Sequence, residues 1–274
     1  MSKYRCKLCG YIVEGDVVPD VCPVCGAPAS EFELIDAPAT ADGGSKKGMN
    51  RDSNVYTVVY ASVMVMLVAV LLAFTSQSLR SYQKANEDND KRQQILRSIN
   101  QTVNGTETET IYKKLITDAF LVNDNGERID GDAFAADASK MFDNKAYPVF
   151  VAKVDGQTKY VMALSGAGLW GPIWGYVSVN EDGNTIFGAD FSHQGETPGL
   201  GAEIATTHFR AEFAGKQLFK NAEFKSIAVV KPGKEAHGQD YVDGISGGTI
   251  TSKGVDRMIA ASLQQYVGFL KKGK

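Results

Sequence analysis

The sequence predicts a chain of unlike parts: a small metal-knuckle domain, one transmembrane helix, and an α+β domain with an antiparallel sheet. Three observations lead to this multi-domain fold class. All four cysteines lie at or before Cys25, one long uncharged apolar run follows, and the C-terminal half contains short apolar segments separated by Asp-Gly turns. The net charge of −3 at pH 7 argues against a nucleic-acid partner.

The N-terminal domain, residues 1–36, is predicted from two Cys-x-x-Cys pairs that are separated by twelve residues. Four thiolates at this spacing form a tetrahedral cage for one metal ion, and the spacing suits both iron and a structural zinc ribbon. So short a segment cannot bury enough apolar surface to fold unaided, so the metal supplies much of the folding energy. The predicted ligands are Cys6, Cys9, Cys22 and Cys25.

A linker and a membrane span come next. Residues 37–52 are rich in Pro, Ala, Gly and Ser without periodic hydrophobicity, which predicts a flexible linker. Residues 53–79 contain no charged side chain, and the twenty residues Val55–Phe74 reach about 30 Å as a helix, one bilayer core. We therefore expect residues 53–79 to cross the membrane once, in contact with lipid. All cysteines precede the span, which favours a reducing compartment for the N-terminus.

Residues 80–143 are predicted to be a helical membrane-proximal region. A polar helix continues from Leu79 to about Asn100 and is stopped by Asn104-Gly105, and further helical segments are expected near Ile111–Val122 and Asp132–Phe142.

The last domain, residues 144–274, carries the pattern of an antiparallel meander. Turns are predicted at Asp155-Gly156 and Asp182-Gly183, and the strands are predicted at Pro148–Val154, Tyr160–Leu164, Ile173–Val179 and Thr185–Phe191. An amphipathic helix is predicted to begin near Ser252, from the helical spacing of Val255, Ile259, Leu263, Val267 and Leu270.

The loop before this helix runs from Asp243 through Ser246 to Thr249 and has the character of a phosphate-binding loop. The first helical turn has unpaired N–H groups and a partial positive charge, and Gly247 and Gly248 let an anion approach closely. Thr249 then places a hydroxyl beside a phosphate. The segment alone does not decide between this interpretation and an ordinary loop that ends in a Ser or Thr N-cap.

Two further motifs precede the loop. They read Ser165-Gly-Ala-Gly-Leu-Trp-Gly-Pro-Ile-Trp-Gly-Tyr176 and His193-Gln-Gly-Glu-Thr-Pro-Gly-Leu-Gly201. Tryptophans in such a segment are commonly sheet core, but the neighbouring glycines suit the close approach of a flat ring. Taken in order with the Thr249 loop, these motifs resemble the C subunit of the sodium-translocating NADH:quinone oxidoreductase, from about Met49 to the C-terminus.

The resemblance implies that residues 144–274 bind FMN covalently, through a phosphoester to Thr249. Gly248 stands where the family usually has Ala, a change that loosens the loop. We expect Leu169, Trp170 and Gly171 to border the isoalloxazine ring. A second wall of the ring site is expected from Thr197, Gly199 and Leu200, with His193 and Glu196 fixing that loop. Asp243 is expected to position a magnesium ion or the Thr249 hydroxyl. The residues expected at the phosphate are Ser246, Gly247, Gly248 and Thr251.

The cysteine pairs, read as Cys-x-x-Cys-Gly-Tyr and Cys-Pro-Val-Cys-Gly-Ala with a following Phe32-Glu-Leu, resemble the short rubredoxin-like domain of rubrerythrins. The resemblance implies one iron that cycles by a single electron, with zinc as the alternative. Val21 stands where longer rubredoxins carry Trp, so we expect a weaker core.

Together the resemblances predict an electron-transfer subunit of a membrane translocase and oxidoreductase. It would be a single-pass protein of the bacterial inner membrane, with the rubredoxin-like domain in the cytoplasm and the FMN domain on the periplasmic side. Its expected partners are the other subunits of a complex that oxidises NADH, reduces quinone and exports Na⁺, and a flavin transferase for maturation. The sequence contains no nucleophile or general-base constellation, so the chemistry belongs to the cofactors. The alternatives are the G subunit of the related ferredoxin:NAD oxidoreductase complex, or a non-enzymatic, membrane-anchored zinc-ribbon adaptor.

Overall fold

The computed structural model describes residues 2–36, 54–103 and 105–272. They fall into two compact units, Met1–Phe74 and Thr75–Lys274, which are divided inside one helix. The predicted linker, residues 37–52, lies outside the described residues, as does Asn104.

The first unit contains a three-stranded antiparallel sheet in the order β2-β1-β3. Its strands are β1 (Ser2–Cys6), β2 (Ile12–Gly15) and β3 (Phe32–Asp36). The buried cluster consists of Cys6, Cys22 and Ala27 with Phe32 packed against it, and Val21 is exposed. Two of these buried groups are thiols, so the apolar core is small, as the sequence predicts.

Helix α1 (Asn54–Ser98) contains 45 residues and joins the predicted membrane span to the predicted polar helix without a break. Within the described part of the chain it is the one helix that is long and apolar enough to cross a membrane, and none of its apolar window is buried against protein. The helix ends earlier than predicted because Asn100 adopts a left-handed φ of 59°. The N–H groups of Asn100 and Gln101 then return to the carbonyls of Arg97 and Leu96, which closes the helix in a Schellman-type turn.

The second unit is built on a six-stranded antiparallel sheet in the order β5-β4-β6-β7-β8-β9. Its elements in chain order are α2 (Thr108–Leu115), β4 (Ile116–Val122), β5 (Arg128–Ile129), α3 (Met141–Asn144), β6 (Tyr147–Val154), β7 (Gln157–Ala167), β8 (Pro172–Asn180) and β9 (Ile186–His193). The four predicted strands and the antiparallel meander are confirmed.

The prediction of helix throughout Ile111–Val122 is wrong in its second half. Residues 116–122 form β4, which lies between β5 and β6 in the sheet. Its β-branched and aromatic side chains suit a strand, and its main partner β6 lies too far along the chain for the local pattern to show the pairing. Between Asp132 and Phe142 most of the predicted helix is also missing, since α3 begins only at Met141.

The remaining elements follow the six-stranded sheet in the chain. They are α4 (Thr207–Ala211), β10 (Phe219–Lys220), β11 (Glu223–Phe224), β12 (Ile227–Val230), β13 (Asp240–Asp243), α5 (Thr249–Gln265) and α6 (Val267–Lys272). Strands β12 and β13 pair in parallel, and α5 packs on β7 and β12. This packing brings the start of α5 to the edge where β12 and β13 end.

The last turns of α1 belong to the core of this unit. Ile95, Leu96 and Ile99 are fully buried, and Ser178 donates its hydroxyl to the Ser98 carbonyl. Asp190, also fully buried, accepts hydrogen bonds from Arg97 and is paired with Arg210 as well. The last turns of α1 are therefore part of the core of this domain.

Candidate cofactor sites

The four cysteine sulfurs of the first unit form a compact cage in which all four lie within 4.8 Å of one another. The Sγ atoms of Cys6 and Cys25 are 3.7 Å apart, and those of Cys9 and Cys22 are 3.5 Å apart. A tetrahedral ion with metal–sulfur bonds of about 2.3 Å needs sulfurs about 3.8 Å apart. The residues therefore fit a single metal ion.

The two knuckles have matching backbones. Gly10 and Gly26 adopt positive φ values of 76° and 73°, and their N–H groups donate to the carbonyls of Cys6 and Cys22. These turns direct backbone N–H groups to sulfur, with Tyr11 donating to the Cys9 thiol and Ala27 to the Cys25 thiol. Such donors stabilise thiolate charge, which a metal-bound cluster requires.

Thr249 is the first residue of α5, so the helix begins three residues before the predicted Ser252. Gly247 has a φ of 78° and lets the chain turn into the helix, and Gly248 directly precedes the first turn. Thr249 lines a cavity of about 300 Å³ at this end of the helix. The other lining residues are Val229, Val230, Lys231, Pro232, Gly244, Ile245, Ser246, Gly247, Ser252 and Lys253.

The N-cap residue of α5 is Gly248, and no side chain within the described residues forms a cap hydrogen bond there. The hydroxyls that could do so have other partners, because Ser252 accepts from the Ile245 N–H and Thr251 donates to Glu196. The first backbone bond within the helix runs from the Ser252 N–H to the Gly248 carbonyl. The prediction of a Ser or Thr N-cap is therefore wrong, and among the described residues no side chain accepts from the first-turn N–H groups.

Glu196 connects the three sequence motifs. One carboxylate oxygen accepts the N–H groups of Leu169 and Trp170 at 2.7 and 2.9 Å, and the other accepts the Thr251 hydroxyl at 2.6 Å. Its own N–H donates to Nδ1 of His193 at 3.2 Å. The side chain thus ties the β7–β8 hairpin to the first turn of α5.

Two glycines make room for this carboxylate. A Cβ atom at Gly168 would lie 2.3 Å from Oε1 of Glu196, and one at Gly201 would lie 2.3 Å from Oε2. Neither contact is possible for a larger residue without movement of the carboxylate.

The Glu196 carboxylate is ionised at neutral pH. Burial by itself raises the pKa of Glu196, but the hydrogen bonds from Thr251, Trp170 and Leu169 outweigh it, and the net pKa lies below its ordinary value of 4.5.

Large apolar side chains are exposed around this framework. Trp170 is 68% exposed and Leu169 is 47% exposed, so assignment of Trp170 to the sheet core would be wrong. Leu200 and Ile250 are also exposed. Leu200 lies close to Gly247: a Cβ atom added at Gly247 would come within 2.7 Å of Leu200 Cδ2. Exposed large apolar side chains on both sides of the Glu196 framework make this region a candidate binding surface.

Trp174 has a different role from Trp170. Its indole N–H donates to Oε1 of Gln94 at 3.0 Å, so it joins β8 to α1. Gly171 lies in the β7–β8 hairpin, and Thr197 and Gly199 lie in the exposed loop after β9. The Thr197 carbonyl accepts from the N–H groups of Leu200 and Ala202, which shapes that loop.

Asp243 ends β13 and is not among the residues that line the Thr249 cavity. Its backbone N–H donates to the side chain of Glu212. Sequence reasoning missed Lys231 and Lys253 in the same lining. Lys253 follows Thr249 by one helical turn and was detectable from that spacing, whereas Lys231 reaches the cavity only through the pairing of β12 with β13.

Comparison with known families agrees with this geometry. The FMN-binding domain family matches residues 168–264, and the rubredoxin-like domain of rubrerythrin matches residues 4–33. The C subunit of the Na(+)-translocating NADH-quinone reductase of Vibrio anguillarum is 31% identical, over 75% of this chain and 89% of its own length. The Haemophilus ducreyi protein of the same name is 32% identical, over 76% and 88%.

Solved structures give the same result. The crystal structure of the corresponding protein from Parabacteroides distasonis is 69% identical, with a TM-score of 0.69, and the match covers 70% of this chain and 96% of that one. NqrC of Shewanella oneidensis is 28% identical, with a TM-score of 0.55, and the match covers 68% and 99%.

A thiolate cage, a membrane-length helix and an FMN-binding domain define a membrane-anchored electron-transfer protein. The chain belongs to the NqrC family, the C subunits of the Na(+)-translocating NADH-quinone reductase, which is a multisubunit oxidoreductase complex. Family and helix together indicate a single-pass protein of the inner membrane, with the other subunits as its partners. The relatives favour NqrC over the G-subunit alternative, and the adaptor interpretation is set aside.

Proposed function

We propose that this protein holds FMN joined through its phosphate to the Thr249 hydroxyl, as an electron relay in a complex that couples NADH oxidation and quinone reduction to Na⁺ export. The observation that carries the proposal is the position of Thr249. Its hydroxyl lies in the first turn of an uncapped 17-residue helix, beside a cavity of about 300 Å³. The free donors and the positive end of the helix favour a phosphate at that point.

The residues fit FMN at both of its ends. Gly247 and Gly248 let the phosphate approach the backbone, with Ser246 in the same cavity lining. The exposed apolar side chains of Leu169, Trp170 and Leu200 are available to pack against the isoalloxazine ring. FMN, when bound, accepts electrons and passes them on.

Glu196 and Thr251 support this site through each other: both are buried, and the Thr251 hydroxyl, predicted at the phosphate, donates to Glu196 and is not in the lining of the Thr249 cavity. The buried carboxylate holds the Leu169–Trp170 backbone and the first turn of α5 in one arrangement. His193 orients the Glu196 backbone from the end of β9. The ring surface and the phosphate loop are thereby fixed relative to each other, which lowers the reorganisation needed for electron transfer.

Covalent attachment suits a domain on the periplasmic side of the membrane, where a lost cofactor is not replaced from the cytosol. The phosphoester changes a phosphate monoester into a diester with one negative charge. A flavin transferase would carry out the attachment from a flavin donor whose phosphate is part of a phosphoanhydride. The Thr249 oxygen would bond to the flavin phosphorus and lose its proton while the anhydride P–O bond breaks and the other phosphate leaves, and Asp243 would position a magnesium ion or the Thr249 hydroxyl during that reaction.

For the thiolate cage we propose iron. The four sulfurs and their backbone donors suit one ion that cycles by a single electron, on the cytoplasmic side of the membrane. Metal analysis of the purified protein distinguishes iron from zinc, and iron–thiolate absorption that disappears in Cys9→Ser would assign the site. NADH binding and a Na⁺ path belong to the partner subunits, because one span cannot line a path alone.

The decisive experiment is flavin fluorescence in a denaturing gel after coexpression with a flavin transferase. We expect a fluorescent band for the unmutated protein and none for Thr249→Ala. Thr249→Ser keeps an acceptor hydroxyl and is the matched control that should restore the band. Peptide mass spectrometry should place the added FMN on residue 249, and a fluorescent Thr249→Ala band would contradict the proposal.

A further inference from the structure

Two lysines share the cavity with Thr249, and they come from different parts of the fold. Lys231 directly follows β12, and Lys253 lies in α5, one turn after Thr249. We propose that Lys231 and Lys253 form a cationic clamp for the flavin phosphodiester, one on each side of the Thr249 oxygen. This inference rests on the proposed function, since it assigns the residues that neutralise the attached group.

The parallel pairing of β12 and β13 places Lys231 at the cavity. Val230 is opposite Asp243 in the register, and the Gly244 N–H donates to the Val230 carbonyl at 2.6 Å. The segments that follow both strands therefore leave the sheet at the same edge. Lys231-Pro232 and residues 244–247 therefore both line the cavity.

Helical geometry places Lys253. Residues four apart lie on the same face of a helix, so Lys253 is on the Thr249 face of α5. Its neighbour Ser252 also lines the cavity and is fixed by the hydrogen bond from the Ile245 N–H.

Both lysines have side chains available for an anion. Each is exposed, and neither has an ion pair among the residues that the structure describes. Three carboxylates are close in the chain or the register: Glu212 accepts the Asp243 N–H, Asp256 accepts the Val229 N–H, and Asp243 itself lies outside the cavity lining. Lys231 and Lys253 are the charged residues of the cavity lining, and they lie next to an uncapped helix N-terminus, so a phosphodiester supplies charge of the opposite sign.

The test follows covalent flavin loading over time with purified transferase, in wild type, Lys231→Gln, Lys253→Gln and the double variant. Lys234→Gln is the matched control, because this exposed lysine lies three residues from Lys231 and outside the cavity lining. The double variant should load at least about tenfold more slowly, the effect of losing a charge-assisted hydrogen bond. Lys234→Gln should load at the wild-type rate.

A second readout separates a clamp in the finished site from recognition by the transferase. Flavin attachment should raise the melting temperature of wild type, and the increase should shrink in high salt and in the double Gln variant. A charge-preserving Lys231→Arg, Lys253→Arg double variant should retain both loading and the increase in melting temperature. If the Gln variants load slowly but keep the full increase, or if the Arg variant fails as the Gln variant does, the clamp is wrong.

Failure of this inference is distinguishable from failure of the proposed function. If wild type loads flavin at Thr249, and the Gln variants keep the wild-type loading rate and the full increase in melting temperature, the clamp is refuted but the covalent flavin stands. Loss of wild-type loading would instead remove the proposed function itself.

Discussion

Glu196 is the residue on which the arrangement of the flavin site depends. Its two oxygens serve two backbone N–H groups and the Thr251 hydroxyl in a buried position. Glu196→Gln replaces one acceptor oxygen by a donor NH₂ group, so at least one of these partners loses its bond. We expect a loss of about 1–3 kcal/mol in the free energy of unfolding at pH 7, measured by urea denaturation.

The pH dependence of the stability difference between wild type and Glu196→Gln tests whether the ionised carboxylate causes it. Because the folded-state pKa of Glu196 is lowered below 4.5, its stabilising contribution is complete above that pH and is lost as the pH falls through the folded-state value. The difference between wild type and Glu196→Gln should therefore shrink on acidification. The exposed Glu181→Gln serves as control, and a difference that does not change between pH 7 and pH 3 would refute the role of the ionised carboxylate.

A second prediction at this scale concerns two glycines of one hairpin. At Gly168 an added Cβ would lie 2.3 Å from Glu196 Oε1 and 2.9 Å from a methyl of Ile173, whereas at Gly171 the nearest atom would be at 3.5 Å. Gly168→Ala should therefore cost about 1–3 kcal/mol in the free energy of unfolding and reduce flavin loading. Gly171→Ala should change the free energy of unfolding little, and equal losses of stability in the two variants would contradict the close-approach argument.

At the scale of elements, the end of α1 is held in the sheet by a buried charge. Asp190 is 1% exposed and pairs with Arg97 of α1 and Arg210 of α4. Asp190→Ala leaves both guanidinium groups without this partner, so we expect about 3–5 kcal/mol of destabilisation. The exposed Asp118–Arg128 pair supplies the control, since Asp118→Ala should cost about 1 kcal/mol or less.

Hydrogen exchange locates the effect of Asp190→Ala. The amides from Ile95 to Ile99 should lose protection first, because this segment of α1 is bound to the sheet through Asp190 and Ser178. Unchanged protection there, with loss elsewhere, would show that the charge cluster does not anchor the helix.

Periodicity predicted the elements that depend on local pattern. The four central strands, the long apolar helix and the last amphipathic helix all follow from it, while β4 does not, because its strand character comes from pairing with β6. The helix start at Thr249 was missed for a related reason. Thr251 and Ser252, which look like N-caps, are instead bound to Glu196 and Ile245.

The candidate sites divide in the same way. The cysteine cage can be predicted from the sequence because its ligands lie in two short local motifs. Thr249 can be proposed from the sequence because it directly follows a glycine pair. Lys231 and the Glu196 connections depend on strand register and on residues far apart in sequence, so only the folded chain brings them together.

At the scale of the whole molecule, the proposal places two redox centres on opposite sides of the membrane. The hydrocarbon core is about 30 Å thick, so electrons cannot pass directly between the iron and the flavin across one helix. The carriers between them must belong to partner subunits. Whether the rubredoxin-like domain can exchange electrons with the complex on the cytoplasmic side therefore depends on the orientation of the chain in the membrane.

Cysteine labelling in spheroplasts tests this topology. The native cysteines should react with a membrane-impermeant maleimide only after lysis and removal of the metal, because we place them in the cytoplasm. In a Glu235→Cys variant, the new thiol is exposed in the FMN-binding domain and should react in intact spheroplasts. The unmutated chain, with its four cysteines, is the control for background labelling. Labelling of the native cysteines before lysis, or protection of residue 235, would show the opposite orientation, with the thiolate cage on the outer side of the membrane.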